Sequence, residues 1–237
     1  MKKILLLSNS TMAGEEYLKY ALPYIDKFII KKNVKILFIP YAIVTSSYDG
    51  YEKKINNALA KIHLKVRSIH HEKNKKNAIK NCDIIMVGGG NTWELLRKMQ
   101  AFDILKTVAT KVNKGTTYIG WSAGANLACP TIKTTNDMPI IEVSTMNALN
   151  LLSFQINPHF LDKNPKGHGG ETREDRINEF LEINKKTIVV GLREGTMLWI
   201  ENEKIKLYGD KPCRIFSYGK EAIEIDGLLD CLKDNNK

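Results

Sequence analysis

The stretch Tyr118-Ile119-Gly120-Trp121-Ser122-Ala123-Gly124-Ala125-Asn126 runs from an apolar segment through G-x-S-x-G into small helix-forming residues. This is the pattern of a nucleophile elbow, in which a strand turns sharply into a helix and lifts the serine above the sheet edge. Small neighbours are required because bulkier side chains would collide in so tight a turn. The pattern predicts a strand ending near Trp121 and a helix over residues 123–128, and it makes Ser122 the candidate nucleophile.

Outward from the elbow, apolar runs at residues 3–8, 34–40, 66–69, 83–87 and 117–121 are mostly separated by segments of helical composition. That alternation predicts an α/β fold with a mostly parallel central sheet flanked by helices. Residues 15–28, with Leu18, Leu22 and Ile25, and residues 51–62, with Ile55, Leu59 and Ile62, each offer one apolar helical stripe. Beyond the elbow, residues 131–147 are polar and turn-rich, and residues 151–156 read as a strand ending at Asn157-Pro158-His159. A helix over 173–182, strands at 187–192 and 197–201, and short alternating strands up to Ile225 complete the pattern, with antiparallel pairing expected towards the C-terminal end. No Pro-, Gly- or Ser-rich linker divides the 237 residues, so one domain over 1–237 is expected, with a frayed tail at 234–237.

No apolar run reaches the roughly 18 residues of a membrane span, and the Met1-Lys2-Lys3-Ile4-Leu5-Leu6-Leu7-Ser8 start is better read as a buried first strand than as a signal peptide. Cys82, Cys129, Cys213 and Cys231 are scattered without CxxC spacing, which predicts reduced thiols and a cytoplasmic location. The 36 Lys and Arg against 26 Asp and Glu give a formal charge of +10, but the lysines are spread along helical segments rather than gathered in a block. Solvated helix faces account for them, and neither nucleic acid nor membrane is expected as a partner.

A serine hydroxyl needs a base within hydrogen-bond reach. His63 closes a helix, His70 and His71 head a lysine-rich turn, and His168 lies in the flexible Lys166-Gly167-His168-Gly169-Gly170 loop; His159, fixed by Pro158, is the best base. The imidazolium it becomes needs an orienting carboxylate. Asp137 in Thr134-Thr135-Asn136-Asp137-Met138-Pro139 lies between nucleophile and base in sequence, whereas Glu194 follows a strand at the carboxyl edge of the sheet, and the residues leave both open. In Val87-Gly88-Gly89-Gly90-Asn91-Thr92, the N–H groups of Gly88 and Gly89 can join that of Ala123 to form an oxyanion hole. Neither a P-loop nor a full G-x-G-x-x-G is present, no HExxH occurs, and His159 and His168 lack a third ligand at metal spacing. No metal and no cofactor are expected.

With Gly120–Asn126, Thr134–Pro139, Asn157-Pro158-His159-Phe160 and Gly170-Glu171-Thr172-Arg173 in this order, the chain resembles the α-aspartyl dipeptidases of the peptidase E family, which are serine peptidases. The likeness reaches from Leu6-Leu7-Ser8-Asn9-Ser10-Thr11 through Gly88-Gly89-Gly90-Asn91-Thr92 to Gly191, and it is least distinct after Glu201. It implies a fold similar to class I glutamine amidotransferases, with Ser in place of their elbow Cys, and hydrolysis of dipeptides with N-terminal aspartate. Ser122 then matches the nucleophile, His159 the base, Asp137 the preferred third member and Glu194 an alternative acid, while Arg173 matches the arginine that binds the substrate carboxylate. The partner expected is a small Asp-X peptide, with a homodimer left open. Rival readings are a cyanophycinase-like peptidase of aspartyl polymers and a non-catalytic binding module on the same fold.

Overall fold

Along β1 (Lys3–Leu7) the side chains of Ile4 and Leu6 enter one apolar cluster and those of Leu5 and Leu7 another, all four fully buried. A strand buried on both faces needs cover on both faces, which is why the sequence reads as an uninterrupted apolar run. In the computed structural model, which describes residues 2–31, 33–167 and 169–232, that cover is helical on one side and mixed on the other. His168 and the 234–237 tail fall outside the described residues.

The described elements run α1 (Leu22–Phe28), β2 (Ile36–Ile39), α2 (Tyr48–Leu59), β3 (Val66–Ser68), α3 (Lys75–Asn81), β4 (Ile84–Val87), α4 (Thr92–Ala101), α5 (Leu105–Asn113), β5 (Thr117–Trp121), α6 (Ala123–Leu127), β6 (Gln155–Phe160), α7 (Arg173–Ile183), β7 (Ile188–Arg193), β8 (Met197–Glu201), β9 (Lys204–Tyr208), β10 (Cys213–Ser217) and β11 (Ile223–Ile225). The main sheet has the order β3-β2-β4-β5-β1-β8-β9, its first five strands paired in parallel and the β1–β8 and β8–β9 pairings antiparallel. A second sheet, β11-β10-β7-β6, pairs β6 with β7 in parallel and is antiparallel elsewhere. The mostly parallel α/β sheet is therefore as expected; the separate four-stranded sheet is not evident from composition.

Leu5, Leu7, Phe38, Met86 and Trp121 pack with α1 and α2, whereas Ile4, Leu6, Ile85 and Tyr118 pack with α4, α5 and, through Ile156 and Val190, the second sheet. α7 covers the outer face of that second sheet through Ile177 and Leu181 against Phe160, Val189 and Phe216.

Among the expected elements that start elsewhere are α1, α2, which begins at Tyr48, and β6. The helix anticipated over 15–28 is regular only from Leu22, because Pro23 has no N–H to donate and fits only the first turn. The strand anticipated over 151–156 is β6, which continues through Pro158 and His159 to Phe160 with a register break between Pro158 and Phe160. No helix among the described residues is long and apolar enough to cross a membrane.

Candidate active site

Ser122 stands between β5 and α6 with φ 52° and ψ −114°, a backbone conformation that L-residues rarely adopt. Strain of this kind amounts to about 1–3 kcal/mol and persists only where the surroundings enforce it. The enforcement is visible: a Cβ on Gly120 would lie 2.4 Å from the Gly124 carbonyl oxygen, and one on Gly124 would lie 2.2 Å from that of Val87. The elbow is thus pressed against its own helix and against the end of β4. The Ser122 N–H donates to Leu7 O at 3.0 Å, and the buried Tyr118 hydroxyl donates to Gly124 O at 2.7 Å.

His159 is the penultimate residue of β6, and Glu194 directly follows the neighbouring strand β7. Nε2 of His159 lies 2.9 Å from Ser122 Oγ, and Nδ1 lies 2.6 Å from Glu194 Oε1. With Glu194 accepting from Nδ1–H, the lone pair of Nε2 is left to accept from the serine hydroxyl. His159 itself has φ 54°. Its N–H donates to Ser8 Oγ at 2.9 Å, and the Ser8 hydroxyl donates to Leu192 O at 2.7 Å, so one buried side chain at the end of β1 ties the main sheet to both strands that carry the pair. Asn9 secures the acid's turn by accepting from the Gly195 N–H at 2.9 Å and from the Tyr20 hydroxyl at 2.9 Å.

The carboxylate beside His159 is therefore Glu194 and not Asp137. Asp137 Oδ2 accepts from the Thr92 N–H at 2.8 Å, from the Thr92 hydroxyl at 2.5 Å and from the Thr135 hydroxyl at 3.1 Å, which pins the 131–147 segment to the first turn of α4. A carboxylate is favoured there by the free N–H groups of the helix start, and among the described residues it makes no hydrogen bond or ion pair with the imidazole.

Among the glycine N–H groups, that of Gly88 is occupied by Ile39 O at 3.1 Å, which removes it from the expected oxyanion hole. The N–H groups of Gly89 and Ala123 have no hydrogen-bond partner among the described residues. Gly89 abuts the serine so closely that a Cβ there would lie 3.0 Å from Ser122 Cβ. Its carbonyl oxygen accepts from the Tyr51 hydroxyl at 3.1 Å, and the Trp121 indole N–H donates to that same hydroxyl oxygen, also at 3.1 Å.

Arg173 opens α7, half-buried and without a hydrogen bond or ion pair among the described residues. Burial and then the neighbouring Arg176 push its pKa below the usual guanidinium value, and Asp137 partly opposes them.

The family model for peptidase family S51 matches residues 4–208. The chain belongs to peptidase family S51. It is accordingly a serine-type peptidase, and it is 48% identical over 223 residues to peptidase E of Nostoc sp., covering 94% of this chain and 92% of that one. It is 44% identical over 224 residues to peptidase E of Salmonella paratyphi A, with 94% and 97% covered. Two solved structures share the fold at low identity: a peptidase E protein from Listeria monocytogenes EGD-e (TM-score 0.66, 23% identity, 89% of this chain and 100% of that one) and a peptidase from an acI-B1 actinobacterium (TM-score 0.67, 15% identity, 95% and 97%).

Three residues around the site of this S51 peptidase carry no role in the sequence reading: Ser8, Asn9 and Tyr20. Ser8 and Asn9 are buried polar residues directly after the apolar run Ile4–Leu7. That abrupt change is the available signal, because buried polar groups must find partners.

Proposed function

We propose that this S51 peptidase hydrolyses dipeptides with an N-terminal aspartate through an acyl-enzyme on Ser122. The observation that carries the chemistry is the hydrogen-bonded series Ser122 Oγ, His159 Nε2 and Nδ1, and Glu194 Oε1 at 2.9 and 2.6 Å. Ser122 Oγ attacks the carbonyl carbon of the Asp-X bond while its proton passes to His159 Nε2. Glu194 holds the ring and stabilises the imidazolium, and the N–H groups of Gly89 and Ala123 donate to the oxyanion. His159 then gives the proton to the leaving amine as the C–N bond breaks. Water, deprotonated by His159, attacks the aspartyl ester, and the proton returns to Ser122 Oγ as aspartate leaves.

The preference for aspartate rests on Arg173, whose half-buried guanidinium lacks an ion-pair partner among the described residues. A bidentate pair with the substrate carboxylate would supply that partner. The test is hydrolysis of Asp-Leu, Glu-Leu, Leu-Leu and N-acetyl-Asp-Leu by wild type and Ser122→Ala, with chelator present. Selective cleavage of free Asp-Leu by the wild type alone is expected. Cleavage of Leu-Leu at the same kcat/KM would remove the specificity claim, and activity surviving in Ser122→Ala would remove the nucleophile.

A further inference from the structure

On α2, Asp49 and Glu52 stand three residues apart and so share a face. His70 and His71, in the turn that follows β3, close over that face. His70 Nε2 lies 3.0 Å and His71 Nε2 lies 3.5 Å from Asp49 Oδ1, while His71 Nε2 lies 2.6 Å from Glu52 Oε2. One donor atom from each of the four residues falls within 4.8 Å of all the others.

We infer that Asp49, Glu52, His70 and His71 form a binding site for a divalent transition-metal ion of the zinc type. Zinc bound tetrahedrally at about 2.0–2.1 Å sets its ligand atoms about 3.3–3.4 Å apart. The His70–Asp49 and His71–Asp49 separations bracket that edge, and the shorter His71–Glu52 contact widens when a cation enters between them. Two imidazoles and two carboxylates are a donor set for zinc rather than for calcium or magnesium, which prefer all-oxygen shells.

The outer contacts are those of a metal site as well. Ser68 lies behind both kinds of ligand: its Oγ is 2.6 Å from His70 Nδ1, and its N–H donates to Glu52 Oε1 at 2.8 Å. Fixing the far atom of these two ligands aims their near atoms at a common point, as partners behind metal ligands do. The two rings lie with centroids 3.8 Å apart, which keeps their Nε2 atoms on the same side of the cluster as the carboxylates. His71, Asp49 and Glu52 also line a groove of about 900 Å³ between α2, α3 and the edge of the sheet, which gives an ion a way in from solvent.

No spacing motif announces this cluster in the sequence, because its two halves come from separate elements. It is also distinct from the serine site, since neither its residues nor Ser68 contact Ser122, His159 or Glu194 through any hydrogen bond among the described residues. The ion is accordingly structural: it clamps α2 to the end of β3 and takes no part in hydrolysis.

The test uses full-length protein stripped with chelator, dialysed against Zn²⁺, Ca²⁺ or Mg²⁺, and analysed for bound metal and by calorimetry. One zinc per chain is expected, without comparable retention of calcium or magnesium, and with Asp-Leu hydrolysis unchanged. His71→Ala and the double variant His70→Ala/His71→Ala should bind zinc at least about 100-fold more weakly, a direct ligand counting for no less than an outer partner. Glu52→Gln, which preserves shape, serves should an alanine variant not fold. Cys231→Ala should retain zinc, since that thiol is the one exposed cysteine among the described residues and so the obvious competing soft ligand. No zinc at one equivalent in the wild type, or undiminished zinc in the double variant or in Glu52→Gln, overturns the assignment.

Discussion

Replacing Glu194 by Gln separates the two acids that the sequence leaves in competition. The carboxylate lies 2.6 Å from His159 Nδ1, with the two side chains 42% and 39% exposed. In the proposed mechanism His159 takes the serine proton, and a full negative charge then faces a full positive one. At about 4 Å between charge centres their attraction is about 1 kcal/mol in bulk water and about 4 kcal/mol at an effective dielectric of 20. Exposure of about two-fifths places this pair between those limits, at roughly 2–3 kcal/mol, or about 30- to 150-fold in rate. Gln also offers an N–H₂ group to Nδ1, which favours the tautomer with its proton on Nε2, where the serine proton must arrive. Together these lower kcat by about 10²- to 10³-fold. Asp137→Asn should instead leave kcat within about tenfold while loosening the 131–147 segment, since its contacts are with Thr92 and Thr135. The assay is steady-state hydrolysis of Asp-Leu by both variants, with thermal unfolding as a check on folding. A well-folded Asp137→Asn that loses more kcat than Glu194→Gln would refute the assignment of the acid.

Ser122→Gly should lose hydrolysis yet gain about 1 kcal/mol of stability over Ser122→Ala, because glycine accepts φ 52° without strain; calorimetry should show a Tm about 2–4 °C higher for a chain of this size, and equal values would mean the elbow is unstrained. Arg173→Ala should reduce kcat/KM for Asp-Leu by at least about 30-fold, from the loss of one desolvated charge pair, with little change on any neutral dipeptide that is cleaved; equal losses on both substrates would remove the carboxylate role. Burial pushes the thiols of Cys82 up to about 11 and of Cys129 and Cys213 up to about 12. In the native protein at pH 8 a thiol-directed reagent should therefore modify Cys231 first. The unfolded chain loses these three thiol protons above about pH 8.5 while the native state keeps them, so the stability difference falls with rising pH. Unfolding free energy should drop by up to roughly 1.4 kcal/mol per thiol per pH unit between about pH 9 and 11, as measured by denaturant titration; a flat profile would contradict the burial of these groups.

The parts of this molecule that can be read along the chain are those whose cause is local. β1 and β5 announce themselves because a strand covered on both faces is apolar along its buried length, and the elbow does so because Gly120 and Gly124 sit where the backbone approaches other carbonyls too closely for a side chain. The late start of α1 was also local, set by Pro23. The identity of the acid was not. Asp137 and Glu194 are both carboxylates in polar turns, and the difference between them arises from docking: one segment is captured by the start of α4, while the other follows a strand paired in register with β6. The loss of the Gly88 N–H to Ile39 has the same character, since it depends on β2 lying beside β4. The assembly of Asp49, Glu52, His70 and His71 likewise needs α2 to lie over the end of β3.

Ser122 adjoins one sheet, and His159 with Glu194 belongs to another, with Ser8 as a buried tie between them. The 2.9 Å contact between Ser122 and His159 is thus a gauge of how the two sheets are seated, not of the integrity of either. A displacement of about 1 Å between them suffices to disable proton transfer while leaving every strand paired. Mild denaturant or heat should therefore silence the enzyme before it unfolds, and recovery of activity after refolding should lag the return of secondary structure, reporting the moment when the two sheets lock.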